Sequence, residues 1–177
     1  MNQKIFTPRF IFIFTSVFIA AGSRLLPHPP NFTPIAAMAL FCAANCSNRF
    51  LAFIIPLTAM FLSDIIIGFH NTLIPVYLSF IFIVFLGFNT IRKNLKITSL
   101  LGTSIASSIL FFAITNFAVW INGILYAKNF SGLTECYLLA IPFLKNTLFG
   151  DIFFSAVLFG SFYLAQIKFP KLAKADK

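Results

Sequence analysis

Residues 50–69 read FLAFIIPLTAMFLSDIIIGF, and Asp64 is the only charged side chain among them. The hydrocarbon core of a bilayer is about 30 Å thick and is crossed by about 20 helical residues. The stretch therefore predicts a transmembrane helix that carries a carboxyl group inside the membrane. The whole chain agrees, because 59% of its 177 residues are hydrophobic and only 10% are charged. Soluble domains carry about 25% charged residues, so the composition indicates an all-α integral membrane protein.

Apolar runs elsewhere in the chain predict further spans within one membrane domain, 1–177. We expect a bundle of six transmembrane helices at about 5–22, 32–44, 50–69, 73–91, 98–121 and 147–167. The second of these is short, since it reaches only about 20 Å as a helix. The apolar run 133–144 is interrupted by Pro142 and is too short to cross, so we expect a short interfacial or re-entrant segment before the last helix.

The basic residues predict the orientation of the six-span bundle. Most of the 13 Lys and Arg residues fall on one side of it: Lys4, Arg9, Arg49, Arg92, Lys93, Lys96, Lys168, Lys171, Lys174 and Lys177. The others, Arg24, Lys128 and Lys145, fall on the opposite side. Basic residues favour the cytoplasmic side, so we expect both termini there, with the basic tail 168–177 against anionic lipid of the bilayer. A five-span arrangement without the short run would break this segregation.

Two other interpretations of the basic residues remain. The first run resembles a signal peptide, because Lys4 precedes an apolar stretch that ends in small residues; its cleavage would leave five spans. A net charge of +9 is typical of nucleic-acid-binding proteins, but here the basic residues lie between apolar runs. We therefore expect no nucleic acid partner.

Three polar residues lie at one predicted depth, about 6–8 Å below the outer boundary at 1.5 Å per residue. They are Asp64, Asn116 and Asp151, on three different spans. An ionisable side chain at membrane depth marks a functional site by default, so the set predicts an outward-facing polar pocket. Each acid has a structural alternative: Asp64 would bond to a neighbouring helix, and Asp151, near a helix start, would suit the helix dipole.

Further polar and aromatic residues belong to the same outer level. We predict that the substrate-binding residues are Asp64, Asn116, Asp151, Trp120, Tyr77, Asn31 and Asn146. Trp120 and Tyr77 would stack on the ligand or form part of the pocket wall, although each is equally typical of the aromatic belt at a membrane interface. Asn31 and the run 133–144 would form a lid. The two acids favour a small, polar or cationic ligand.

Small residues at helical spacing predict close helix packing. They are Ser16 and Ala20 on the first span and Ala36, Ala39 and Ala43 on the second. These faces pack either within the bundle or against a partner membrane protein.

The sequence contains no phosphate-binding loop for ATP and none of the common hydrolase motifs, so we expect no enzyme. Cys42 and Cys46 share a helix face, but nothing in the sequence supplies two further ligands at that level, and we expect neither a metal nor a cofactor. An intramembrane aspartyl protease is a remote alternative. Its Gly-x-Gly-Asp motif lacks the first glycine here, since Leu148 stands where that glycine is expected, and its two acids would have to meet.

Several stretches resemble known membrane proteins. Residues 31–37 (NFTPIAA), 62–68 (LSDIIIG) and 92–93 (RK) resemble the substrate-binding (S) components of energy-coupling factor (ECF) vitamin transporters. Residues 116–120 (NFAVW), 135–137 (ECY) and 140–151 (AIPFLKNTLFGD) resemble more closely a family of uncharacterised bacterial proteins regarded as transporters. Together these stretches span most of the chain from Arg24 to Gly160.

The resemblance implies an S-component-like bundle in a bacterial inner membrane that captures a small organic nutrient, a vitamin or its precursor, near the outer face. In S components the first helix carries Ala-x-x-x-Ala contacts for a coupling membrane subunit, and Ser16 and Ala20 are the nearest match here. Such a subunit would bring ATPases encoded elsewhere. The alternative is a non-transporting scaffold that docks other membrane proteins and has no ligand cavity.

Overall fold

The chain folds into α-helices without strands in the parts that this computed structural model describes, residues 7–69 and 71–173. The helices are α1 (Pro8–Gly22), α2 (Ile35–Asn45), α3 (Arg49–Ile67), α4 (Leu73–Thr90), α5 (Ile97–Asn122) and α6 (Phe130–Lys168). Short 3₁₀ turns follow α1 at Ser23–Leu25 and α6 at Pro170–Leu172. Helices α3, α4, α5 and α6 are long and apolar enough to cross a membrane, and so is α1 together with the turn that follows it (Pro8–Leu25). The sequence-based prediction of a multi-pass all-α membrane protein is thus confirmed.

The predicted second span corresponds to α2, which has 11 residues. At 1.5 Å per residue it is about 16 Å long, only about half the thickness of the hydrocarbon core. The described residues thus contain five segments of spanning length and one short apolar helix, at the position where the short second span was predicted.

The run 133–144, predicted as a separate segment, is the first part of α6. This helix has 39 residues and contains Pro142, and its length of about 58 Å exceeds what a bilayer core requires. Proline removes one backbone hydrogen bond from a helix. Side-chain contacts to α5 hold the segment before it, since Tyr137 Oη donates to Ala113 O (2.6 Å) and Cys136 Sγ lies 3.5 Å from Asn116 O.

The short helix α2 is the centre of the bundle and packs against all five of the others. Nearly all of its residues are buried, as expected for a helix that is hydrophobic on every face. Its alanines allow the neighbouring helices to approach. On α4, a Cβ atom added at Gly87 would lie 2.7 Å from the Cβ of Ala43, so this contact requires glycine.

Charged side chains from α1, α6 and the turn after α4 complete hydrogen bonds at both ends of α2. At its amino end, the carboxylate of Asp151 accepts from the backbone amide of Ala36. At its carboxyl end, Arg9 Nη2 donates to Asn45 O (3.2 Å) and Arg92 Nη1 donates to Ala43 O (3.2 Å). Helix ends leave backbone groups unpaired, and the helix dipole favours an acid at the amino end and cations at the carboxyl end. These three charges therefore stabilise a buried half-length helix.

Candidate functional site

Asp64 forms a buried ion pair. Its Oδ1 lies 2.7 Å from Arg24 Nη2, and the side chains are 1% and 9% exposed respectively. Tyr77 Oη donates to Asp64 Oδ2 (2.9 Å), and Arg24 Nη1 also donates to Ser63 Oγ and Met60 O. The cluster joins the turn after α1 to α3 and α4. Its charges cancel, so neither Asp64 nor Arg24 is left as an uncompensated charge in the interior.

Asp151 is equally buried but has no cation among its contacts in the described residues. Ser108 Oγ on α5 donates to its Oδ2 (2.6 Å), and the amide of Ala36 donates from the start of α2. Its partners are therefore a hydroxyl and the positive end of a helix dipole, both of which favour a carboxylate. The sequence-based alternative that Asp151 serves a helix start is close to this finding, except that the helix is α2 and not its own.

The face of α6 that carries Asp151 also holds the segment before α2. Asn146 Nδ2 donates to Pro30 O (2.9 Å). One turn later, a Cβ added at Gly150 would lie 3.1 Å from Thr33 N and 3.2 Å from Phe32 Cα. Glycine thus allows this backbone to lie directly on α6. The segment 30–36 is fixed by consecutive turns of one helix.

The contacts of the two acids share no residue, so Asp64 and Asp151 belong to separate clusters. The prediction that both line one pocket is not met, because depth along a helix does not determine the direction in which a side chain points. Separate partners also argue against a paired-carboxylate protease site, in which the two acids must share one water.

A cavity of about 490 Å³ lies beside the Asp64 cluster, and we call it the Arg24 cavity. Its polar wall residues are Arg24, His28, Asn31, Thr33, Thr72, Thr115, Asn116 and Tyr126, and its apolar ones include Ile35, Val76, Phe111, Val119, Cys136, Leu139, Ala140 and Phe143. The wall thus comes from the turn after α1, the segment before α2, and helices α4, α5 and α6. Its volume is typical of small-molecule sites, which are about 300–1,000 Å³.

Two of the seven predicted substrate-binding residues, Asn31 and Asn116, are on this wall. Asn31 has a positive φ of 63°, and Asn116 Nδ2 donates to Phe112 O within its own helix (2.8 Å). The wall does not include Asp64, Asp151, Tyr77, Trp120 or Asn146.

The remaining predicted residues have structural contacts. Tyr77 bonds to Asp64, and Asn146 bonds to Pro30. Trp120 Nε1 donates to Ala127 O (3.0 Å) in the connection between α5 and α6, and the amine of Lys128 lies 5.8 Å from the Trp120 ring centroid. Trp120 therefore packs a loop rather than walling the cavity.

Arg24 is one of the wall residues that are absent from the seven predicted ones, although the sequence carries a signal for it. It is one of few basic residues on the sparsely charged side of the predicted bundle. The positive-inside rule accounts for the many basic residues on the predicted cytoplasmic side, but it does not account for an isolated basic residue on the opposite side. His28, Thr72, Thr115 and Tyr126 were also missed as site residues, and a single sequence offers no comparable signal for them.

The predicted partner-packing residues divide into two groups. Ser16 and Ala20 line an apolar groove of about 890 Å³ between α1 and α6; Ser16 is partly exposed there, whereas Ala20 is only 8% exposed. Ala36, Ala39 and Ala43 are at most 2% exposed, so they pack within the chain's own bundle and are unavailable to a partner. Of the two possibilities for the small residues of the second span, packing within the bundle or against a partner protein, the structure shows packing within the bundle.

Within residues 7–69 and 71–173, no group of three or more His, Cys, Asp or Glu side chains is placed to hold a metal ion. Cys42 and Cys46 are buried free thiols.

Comparisons with known proteins give a family. A search of curated proteins found no match, and a search of solved structures found none. One family model matches residues 4–172, nearly the whole chain. The chain belongs to DUF6580, a family of unknown function.

Proposed function

We propose that this protein is a membrane-embedded binding protein for uptake of a small organic nutrient, and that the Arg24 cavity holds the ligand. The observation that carries the proposal is the cavity itself, which has a volume of about 490 Å³ and is walled by helices on several sides. Its polar groups come from the turn after α1, the segment before α2, the residue before α4, α5 and the connection between α5 and α6. Binding sites for small molecules typically combine such a volume with a few converging polar groups and an apolar remainder.

The hydrogen-bond donors on the wall favour a ligand with acceptor oxygens, such as an anionic group. Arg24 and His28 lie on the wall, and the described part of the chain contributes no acidic side chain to it. Asp64 lies behind Arg24 and keeps its guanidinium in place (2.7 Å). A guanidinium has five N–H donors and binds carboxylate or phosphate oxygens through pairs of them, and the contacts to Asp64, Ser63 and Met60 leave two of the five for a ligand. We therefore propose a polar ligand with a carboxylate or similar group, instead of the cationic ligand expected from the two acids.

The distribution of basic residues supports the proposed orientation. Both termini would lie in the cytoplasm of a bacterium, with the protein in the inner membrane. Arg24 and Lys145 would then lie toward the outer face, and the Arg24 cavity would open outward. The S-component resemblance supports a vitamin or vitamin precursor as the nutrient.

The groove between α1 and α6 supports the proposed partner, a coupling membrane subunit with ATPases encoded elsewhere. Ser16 and Ala20 line this groove, and its wall is mostly apolar. Small residues on an accessible helix face permit a second helix to approach closely. Ser16 is partly exposed on this surface, whereas Ala20 is at its edge, next to the buried face of α1 that carries Ile13 and Val17.

The scaffold alternative predicts a filled outer cavity, and the open volume at Arg24 favours ligand binding over it. Both proposals use the α1–α6 groove, so the groove does not distinguish them.

Ligand capture by the purified full chain tests the proposal. The protein in lipid nanodiscs is incubated with a bacterial metabolite extract, washed, and analysed by mass spectrometry for retained molecules. We expect one class of retained anionic molecule, and thermal stabilisation by that molecule when it is added alone. The proposal is overturned if the wild-type chain retains nothing and no extract fraction raises its unfolding temperature.

Two variants locate the ligand. Arg24→Lys keeps a cation beside Asp64 but loses the paired donors, so we expect the dissociation constant to rise about tenfold. Lys145→Gln removes an exposed charge at the same end of the bundle, outside the cavity wall. We expect it to bind the ligand as the wild type does. Equal affinity in Arg24→Lys and wild type would place the ligand elsewhere.

A further inference from the structure

A second cavity lies between α5 and α6, toward the end of the bundle that carries Lys96. Its volume is about 680 Å³, and we call it the Lys96 cavity. The polar residues Asn45, Lys96 and Gln166 are on its wall. The Arg24 cavity is at the other end of the same two helices, and the proposed function does not use the Lys96 cavity.

Two serine side chains on the wall of the Lys96 cavity are buried without a partner. Ser104 is 1% exposed and Ser155 is 3% exposed, and neither Oγ has a hydrogen-bond partner in the described residues. A buried unpaired hydroxyl costs about 1–3 kcal/mol. Ser107 avoids this cost by donating to the carbonyl four residues earlier, and Ser108 avoids it by donating to Asp151. Water or a polar solute in the cavity would supply the missing partners, whereas a lipid acyl chain would not.

The unpaired hydroxyls lie next to the Ser108–Asp151 contact. On α5, Ser104 is one turn from Ser108, and on the antiparallel α6, Ser155 is one turn from Asp151. Past this contact, α5 reaches the wall of the Arg24 cavity, for example at Asn116. The Ser108–Asp151 contact thus lies between the two cavities along the α5–α6 interface.

We propose that the Lys96 cavity is a second chamber that admits water and small hydrogen-bonding solutes from the Lys96 end. The Ser108–Asp151 contact closes it from the Arg24 cavity. Its use as the exit for a transported ligand rests on the proposed function, but the entry of water does not.

Cysteine accessibility tests the entry of water. In the full-length chain, Cys42, Cys46 and Cys136 are replaced by alanine, and single cysteines are introduced as Ser104→Cys and Ser155→Cys. The probe is a charged methanethiosulfonate reagent, which needs a thiolate in contact with water. Ile105→Cys and Phe153→Cys are matched controls, because these residues lie beside the serines but are exposed on the outside of the bundle and are absent from the cavity wall.

We expect Ser104→Cys and Ser155→Cys to react about tenfold faster than the two controls, since thiols in apolar surroundings stay protonated. Reaction should occur in vesicles of one orientation, the same in which an exposed Lys93→Cys reporter reacts. If Ser155→Cys does not fold, Ala156→Cys on the same wall replaces it. Rates equal to those of the controls would mean a dry or lipid-filled cavity and would overturn the inference. This result leaves ligand capture at Arg24 untouched, so the two proposals fail separately.

Discussion

Asp64 and Asp151 are buried to the same degree, yet they are stabilised in different ways. Each is 1% exposed. Asp64 faces the guanidinium of Arg24, whereas Asp151 accepts from a hydroxyl and from the amide at the start of α2. The first carboxylate is neutralised by a full charge and the second by oriented dipoles. Burial alone therefore does not identify a ligand site, and the groups that surround each acid decide its role.

Asp64→Ala is expected to have the largest effect. It leaves the guanidinium of Arg24 buried without its anion, and removal of one partner from a buried ion pair costs about 3–5 kcal/mol. The free energy of unfolding, measured by denaturant titration in mixed micelles, should fall by that amount. The double variant Arg24→Gln/Asp64→Asn has no unpaired charge and should recover most of the loss. A loss below about 1 kcal/mol in Asp64→Ala would mean that the pair is solvated.

Asp151→Ala is expected to have an intermediate effect. It removes the acceptor of two buried donors, on Ser108 and Ala36, at a cost of about 1–3 kcal/mol. Asp151→Asn keeps a carbonyl oxygen in the same position, so it should retain most of the stability. If Asp151→Asn is as damaging as Asp64→Ala in the same titration, the charge of Asp151 matters more than its hydrogen bonds, and the contrast between the acids fails.

Gly150→Ala is expected to have the smallest effect, and it tests the packing beside Asp151. The added methyl would lie 3.1 Å from Thr33 N, so the segment before α2 must shift, at a cost of about 1 kcal/mol. Gly160→Ala is the control, because it is in the same helix and meets nothing within 4 Å. It should stabilise α6 by up to about 1 kcal/mol. Similar values for both variants, measured as unfolding temperatures, would show that the close approach is unimportant.

The sequence predicts much of the fold and less of the candidate site. Apolar runs locate the helices, because length and composition suffice to identify spans of about 20 residues. Pro142 led to the prediction of a separate segment before the last helix, but α6 continues through this proline. Whether a residue belongs to the site depends on the direction in which its side chain points around the helix axis. A calculation of depth along the helix contains no information about this direction. Asn31 and Asn116 reach the cavity wall, whereas Asp64 and Asp151 at a similar predicted depth point into packed contacts.

The partners of α2 are far apart along the chain, and this affects the order of assembly. Arg9 precedes α2, but Asp151 follows Ala36 by more than a hundred residues. While the chain is being synthesised, the amino end of α2 has no carboxylate to accept its amide, and an 11-residue apolar helix is too short to be held across the bilayer by itself. The helix at the centre of the finished bundle therefore gains the acceptor at its amino end only after the part of α6 that carries Asp151 has been synthesised.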